Sequence, residues 1–259
     1  MASRTFEMSG PKSLWSFEPP PGSFYRFPTE QGNFPLESVQ RTLKPSILGG
    51  SVLGLQFRDG AVIAADTLGS YGTLARYRNC ERLFKVNDST VIGASGDFAD
   101  FQYIKGLLEQ QVIVEECLND GFGFTPQSLH CLLTRLMYSR RDQFNPLWNT
   151  IIVAGLEDDK PYTGYVDFIG TAYEAPSTAT GFGAYIAQPI MRDALEKNPE
   201  LSAQEAVQLI DRCMSLLYYR DKLAFYKYQI AVITREGVIM KSPVEVQTNW
   251  DTAYMVSDY

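Results

Sequence analysis

The order of the apolar runs constrains this chain more than any other feature, because the runs come in adjacent pairs. Ile47 to Asp66 (ILGGSVLGLQFRDGAVIAAD) reads as a β-hairpin leaving a Gly-Gly step, with SVLGLQF and AVIAAD joined at Arg58-Asp59-Gly60. RLFKV and STVIGAS flank Asn87-Asp88 as a second hairpin. Phe98, Phe101, Ile104, Leu107, Leu108 and Val112 then recur at helical spacing. Thr125 before Pro126 predicts an N-cap with proline at the first helical position, opening a helix that buries Leu129, Leu132, Leu133, Leu136 and Met137. Strands return in TIIVAGLE and YTGYVDFIG, turned at Asp158-Asp159-Lys160-Pro161, followed by TAYEA. A shorter helix is expected over Ala184–Lys197 with Pro189 near its start. Ser202 and Glu205 form a capping box for a helix burying Ala206, Leu209, Ile210, Cys213, Leu216 and Leu217. YQIAVIT and GVIMKSPVEV close the pattern as a hairpin around Arg235-Glu236-Gly237.

Paired strands build antiparallel sheets, and paired helices cover them. Two such sets predict an α+β fold of four layers, an αββα sandwich; a two-layer α+β domain is the rival. The 259 residues suit one large domain or at most two. With 45% hydrophobic and 20% charged residues, the composition is that of a soluble globule. A net charge of −7 without a long Lys/Arg run argues against a nucleic-acid partner. No apolar stretch reaches the roughly 18–20 residues of a membrane helix, so no membrane partner is expected. The N-terminus lacks a charged-then-apolar signal pattern, which argues against secretion.

Residues 1–45 hold half of the 14 prolines, with aromatics at Trp15, Phe17, Phe24, Tyr25, Phe27 and Phe34 and no steady period. They read as a disordered tail, a removable pro-segment or an arm that orders on a partner. Cys80, Cys117, Cys131 and Cys213 are scattered without a CxxC pair, and His130 is the single histidine. That weakens a zinc site and a histidine-based triad alike, so no metal or other cofactor is expected. Buried free thiols and a packed imidazole are the plainer readings.

Several blocks are more specific. GSVLGLQFRDGAVIAAD, GASGDFADFQ, ATGFGAY and LLYYRD resemble the proteasome β-subunit family of N-terminal-nucleophile hydrolases, over about residues 42–250. GSYGTLARYRN, MYSRR, NPLWNT, YEAPSTATGFGAYIAQP and TNWD narrow the resemblance to its non-catalytic seventh β class. The resemblance implies an N-terminal-nucleophile hydrolase fold. In active members an N-terminal threonine, freed by cleavage after a glycine, attacks the peptide carbonyl, and its own α-amine takes the proton. A lysine and an aspartate tune the charge, a second aspartate and two serines hold the threonine, and a glycine N–H stabilises the oxyanion.

Carried over residue by residue, the nucleophile position falls at Gly50, which has no side chain. The first aspartate is kept as Asp66. The lysine becomes Arg82, which stays protonated and pairs with Asp66 as a structural ion pair. The oxyanion glycine is Gly96. Phe182 replaces the first serine, where it would crowd or cap the pocket; the second aspartate is Asp221, and Ala224 replaces the second serine. Losing proton-transfer help alone costs about 10²–10⁴-fold. The resemblance therefore implies a non-catalytic β subunit of the proteasome core particle, needed for assembly of the β rings that enclose the chamber for ATP- and ubiquitin-dependent degradation.

It also implies a pro-segment over 1–41, removed between Arg41 and Thr42, a β-type domain over 42–246 and a tail over 247–259. Trp250, Tyr254, Met255 and Tyr259 would anchor the tail on a subunit of the opposite ring. The alternative is an active threonine protease using Thr42. Eight residues separate Thr42 from Gly50, about 26–29 Å when extended, so Thr42 would have to fold back. Expected partners are the other α and β subunits, in four stacked seven-membered rings, and assembly chaperones. The expected location is cytoplasm and nucleus.

Overall fold

The computed structural model describes residues 44–121 and 123–251, all within one compact unit. One antiparallel sheet joins β1 (Ile47–Gly49), β4 (Gly69–Tyr71), β5 (Leu74–Tyr77), β6 (Leu83–Asn87), β7 (Thr90–Asp97), β8 (Asn149–Glu157), β9 (Lys160–Val166) and β10 (Ala172–Glu174). Its order is β10-β9-β8-β7-β1-β4-β5, with β6 also paired to β7. The other sheet runs β11 (Ser177–Ala179), β2 (Val52–Phe57), β3 (Gly60–Asp66), β12 (Lys227–Thr234), β13 (Gly237–Met240), with β14 (Val244–Glu245) also on β12. Helices α1 (Phe98–Leu118) and α2 (Pro126–Asp142) lie on the first sheet, and α3 (Gly183–Lys197) and α4 (Ala203–Arg220) on the second. Contacts of β2 and β3 with β8 and β9 bring the sheets face to face. This is the αββα sandwich, and the two-layer rival is set aside.

Strand β3 shows why four layers are needed. All seven of its residues are buried, although side chains alternate across a strand. Val62 and Ala64 join Leu53, Leu55, Met191, Ile210 and Leu217 on the helix side. Ala61, Ile63 and Ala65 join Val52, Val91, Ile152 and Ala154 between the sheets. A strand apolar on both faces must be covered on both.

The caps fall where their chemistry requires. The Thr125 hydroxyl accepts the Ser128 N–H at 3.1 Å ahead of Pro126. Ser202 and Glu205 make both halves of the capping box. The five apolar residues expected inside α2 are all buried there. In α4, Met214 is buried together with Ala206, Ile210, Cys213 and Leu217, while Leu209 and Leu216 are half-buried. His130 is a packed residue. Its Nε2 lies 3.1 Å from the Tyr165 carbonyl, which only accepts, so that nitrogen carries a proton, and Nδ1 lies 2.6 Å from the Tyr162 hydroxyl. Burial, with nearby carboxylates, pushes the Tyr162 phenol up to about 12, which keeps it protonated.

Three expectations shift in detail. The β8–β9 turn is only Asp158-Asp159, both at positive φ (47° and 62°), so Lys160 and Pro161 already pair with β8. Aspartate tolerates that conformation better than most side chains, and it suits a two-residue hairpin. Pro189 lies well inside α3, because the helix starts at Gly183. Strands β4, β5 and β11 have no counterpart in the sequence pattern, and β1 separates from the hairpin expected to begin at Ile47; at three or four residues each, they depend on neighbouring strands rather than on a pattern of their own.

The inter-sheet layer yields a stability prediction. Ile63→Ala should lower unfolding free energy by about 2–5 kcal/mol through the cavity it leaves. A shift of the urea midpoint with an unchanged slope would verify this.

Candidate functional site

The residues singled out in the sequence converge at the end of the sandwich where β2 starts and β3 ends. Arg82, just before β6, is 2% exposed and places its guanidinium at the centre. Its Nη2 donates to Asp66 Oδ1 at 2.5 Å and to the Ser51 carbonyl at 3.2 Å. Its Nη1 donates to the Gly50 carbonyl at 2.8 Å and the Ala94 carbonyl at 3.1 Å, and its Nε to the Asp66 carbonyl at 3.1 Å. An arginine has five N–H donors, and each has an acceptor here. The cation is thus tied to the start of β2, the end of β3 and the middle of β7.

Asp66 is equally buried, at 2% exposure, and its Oδ1 also accepts the Leu68 N–H at 3.3 Å. Burial pushes its carboxyl above the ordinary range; Arg82 and the Leu68 amide pull it down, and the Asp221 charge adds to the rise. A carboxylate facing a cation that cannot release its proton has no proton to relay.

Gly50 lies within this cage. A Cβ there would meet Asp66 Oδ2 at 2.8 Å and the Leu223 carbonyl at 3.2 Å. Its nitrogen is a peptide nitrogen, since the chain continues back through Gly49 into β1. Strand β1 runs between β4 and β7, with Gly49 opposite Gly69 on one side and Gly96 on the other. Three glycines therefore lie in a row across three strands. At Gly49 a Cβ would come within 2.5 Å of Arg82 Cδ, so the missing side chain makes room for the arginine. Gly96 has φ +94°, and a Cβ on it would meet the Trp148 carbonyl at 2.1 Å.

The remaining positions are spread around this centre. Asp221 caps the C-terminus of α4, and its Oδ1 accepts the Leu223 N–H at 2.9 Å. The turn it forms brings the Leu223 carbonyl over Gly50, with the Ala224 N–H donating to the Asp221 carbonyl at 3.2 Å. Phe182, expected to crowd or cap the pocket, is not buried in it. It is the N-cap residue of α3, its ring leans on Tyr185 at 6.2 Å between centroids, and it is 44% exposed. Beside the site, Ser51 Oγ accepts the Gly183 N–H at 2.8 Å.

Sequence reasoning passed over Ser51, Thr180 and Asp97. The Thr180 hydroxyl accepts the Val52 N–H at 2.9 Å, and its own N–H returns a bond to the Val52 carbonyl. Asp97 N-caps α1 through Ala99 and Asp100 and also accepts the Ser46 N–H at 2.9 Å, which fastens the entry to β1. Only Asp97 carried a legible signal, an acidic residue directly before a helical period. Cys80 is close by, but burial pushes its thiol up, away from a reactive thiolate. Among the described residues no cluster of His, Cys, Asp and Glu is arranged to hold a metal ion, and no helix is long and apolar enough to cross a membrane.

Arg41, Thr42, Tyr254, Met255 and Tyr259 lie outside the described residues. Trp250 is described. It meets Tyr218 and Tyr219 of α4 edge-on, at 6.2 and 4.9 Å between centroids, and remains 49% exposed.

Comparison with known proteins places this geometry in context. The family model described as "Proteasome subunit" matches residues 47–233. "Proteasome subunit beta type-4" of Xenopus laevis is 48% identical over 239 residues, covering 92% of this chain and 96% of the relative. The Arabidopsis thaliana protein of that name is 42% identical, over 83% of this chain and 87% of the relative. "Proteasome subunit beta type-7" of Saccharomyces cerevisiae is 34% identical, over 93% and 94%.

The cage makes a quantitative claim. Arg82→Met should cost about 3–5 kcal/mol, because it strands a buried carboxylate. Adding Asp66→Leu should recover part of that loss, and a double-mutant cycle of denaturation midpoints would read the coupling.

Proposed function

This chain belongs to the proteasome subunit family and assembles with other proteasome subunits, and from that premise we propose that it is a β subunit that builds the core particle without hydrolysing peptides. The single observation that carries this reading is Gly50 enclosed by the Asp66–Arg82 pair. Acyl transfer needs an attacking oxygen and a base. Position 50 supplies neither, because it has no side chain and its nitrogen is an amide whose lone pair is delocalised into the carbonyl. The place of the shared proton is taken by an arginine whose N–H groups are all engaged. Gly96, the candidate oxyanion donor, has Gly49 opposite it in the ladder, so the chain's own backbone stands where an acyl group would enter.

On this reading the polar site has become a clamp at the junction of the two sheets. The subunit then contributes a fixed wedge to closed β rings within four stacked seven-membered rings, a geometry that fails if one position is empty. Residues 1–41 act as a pro-segment removed at Arg41–Thr42, assembly chaperones handle the precursor, and the particle works in cytoplasm and nucleus. The tail beyond Val246, whose side chain is the last in the helix-side core, reaches a subunit of the opposite ring.

The test uses the assembled particle. Gly50→Thr should leave this subunit inactive, since the new Cβ meets Asp66, which Arg82 holds in place. With the nucleophiles of the other β subunits blocked, the particle should cleave no peptide and this chain should bind no electrophilic inhibitor covalently, with or without the substitution. An adduct on the unsubstituted chain would refute the reading. Intact mass of the incorporated chain should correspond to Thr42 as first residue; Met1 or Gly50 would refute the processing proposal.

A further inference from the structure

Residues 71–79 form an unbroken exposed run between buried Ser70 and Cys80. They include the end of β4 and all of β5, the last strand in the order of its sheet among the described residues. Such an edge has backbone donors and acceptors free for another chain. The side chains suit an interface as well. Tyr71, Leu74 and Tyr77 are 54%, 59% and 41% exposed. The Arg76 guanidinium stacks over both tyrosine rings, at 5.9 and 5.4 Å from their centroids, and no carboxylate pairs with it among the described residues. Tyrosine and arginine dominate binding hot spots, being large, rigid and able to combine apolar contact with hydrogen bonding. This face is also locally basic. From Gly69 to Cys80 there are two arginines and no acidic residue, in a chain of net charge −7. An acidic partner surface complements it.

Among the described residues the hairpin has one ladder to the rest of its sheet. Strand β4 pairs only with β5 and β1, and β1 in turn pairs with β7. Three residues, Ile47–Gly49, therefore hold the hairpin in register. They are fastened by Asp97 at Ser46 and by Arg82 at Gly50. The side chain of Ile47 closes on β4, with Cγ2 3.0 Å from where a Cβ on Gly69 would be.

We propose that the hairpin Gly69–Tyr77 is a docking surface for a carboxylate-bearing face of a neighbouring proteasome subunit, and that strand β1 is the tether that presents it. This rests on the reading that the chain is a subunit of the particle. It gives the segment before Gly50 a use: without β1, the hairpin would lose the ladder that joins it to the rest of its sheet among the described residues.

The experiment replaces the cellular copy with tagged chains and measures the share that sediments with the particle, at low and at raised salt. Arg76→Glu, at an exposed position, should reduce incorporation by roughly tenfold or more, since like charges across an interface cost several kcal/mol. Leu48→Pro, which removes a ladder donor from β1, should do the same and should also speed amide exchange over 69–77. Benzoyl-phenylalanine in place of Leu74 should crosslink to a segment of another subunit containing Asp or Glu, identified by mass spectrometry. Wild-type incorporation of Arg76→Glu at both salt levels would overturn the inference while leaving the subunit reading intact. So would a crosslink to a second copy of this chain or to a protein outside the particle. Absence of the wild-type chain from the particle would overturn both.

Discussion

One buried arginine holds the junction of this sandwich together. Removing a guanidinium from water costs several kcal/mol unless its donors are matched and its charge is paired. At Arg82 five acceptors meet five donors, four of them backbone carbonyls: Gly50 and Ser51 just before β2, Asp66 at the end of β3 and Ala94 in β7. The cation therefore fixes backbone, and it fixes it between sheets: β2 and β3 belong to one sheet, β7 to the other. Had the position kept a lysine, three tetrahedrally disposed donors could not satisfy the same planar set.

The neighbouring glycines follow from that choice. Arg82 lies against Gly49, where any side chain would displace it, and Gly96 turns through a conformation that a Cβ would bring into the Trp148 carbonyl. A strip without side chains thus runs across β4, β1 and β7 beside the clamp. The chain's own upstream segment β1 lies in it, paired on both sides, so the strip packs backbone against backbone.

Much of this was legible beforehand. Thr125-Pro126 and the Ser202–Glu205 box predicted two helix starts because capping is local chemistry, complete within a few residues. The paired apolar runs indicated two covered sheets. The placing of the Phe182 ring is not legible, because a residue type does not state which way a side chain points at a helix start; here the ring leans on Tyr185. Strand β1 was read as part of one long hairpin, since a three-residue strand draws its order from the ladders on either side, which lie 20 to 50 residues away in the chain.

The sequence by itself decided what the centre lacks and what it contains: no side chain at position 50, an arginine at 82, aspartates at 66 and 221. These are facts of covalent composition and survive any fold. Only the tertiary structure decided that the arginine would find five acceptors, that Gly49 would lie between Gly69 and Gly96, and that an exposed hairpin would depend on the strand before Gly50. Those are properties of distance between residues remote in the chain, and such distances exist only once both sheets have closed over their shared apolar layer.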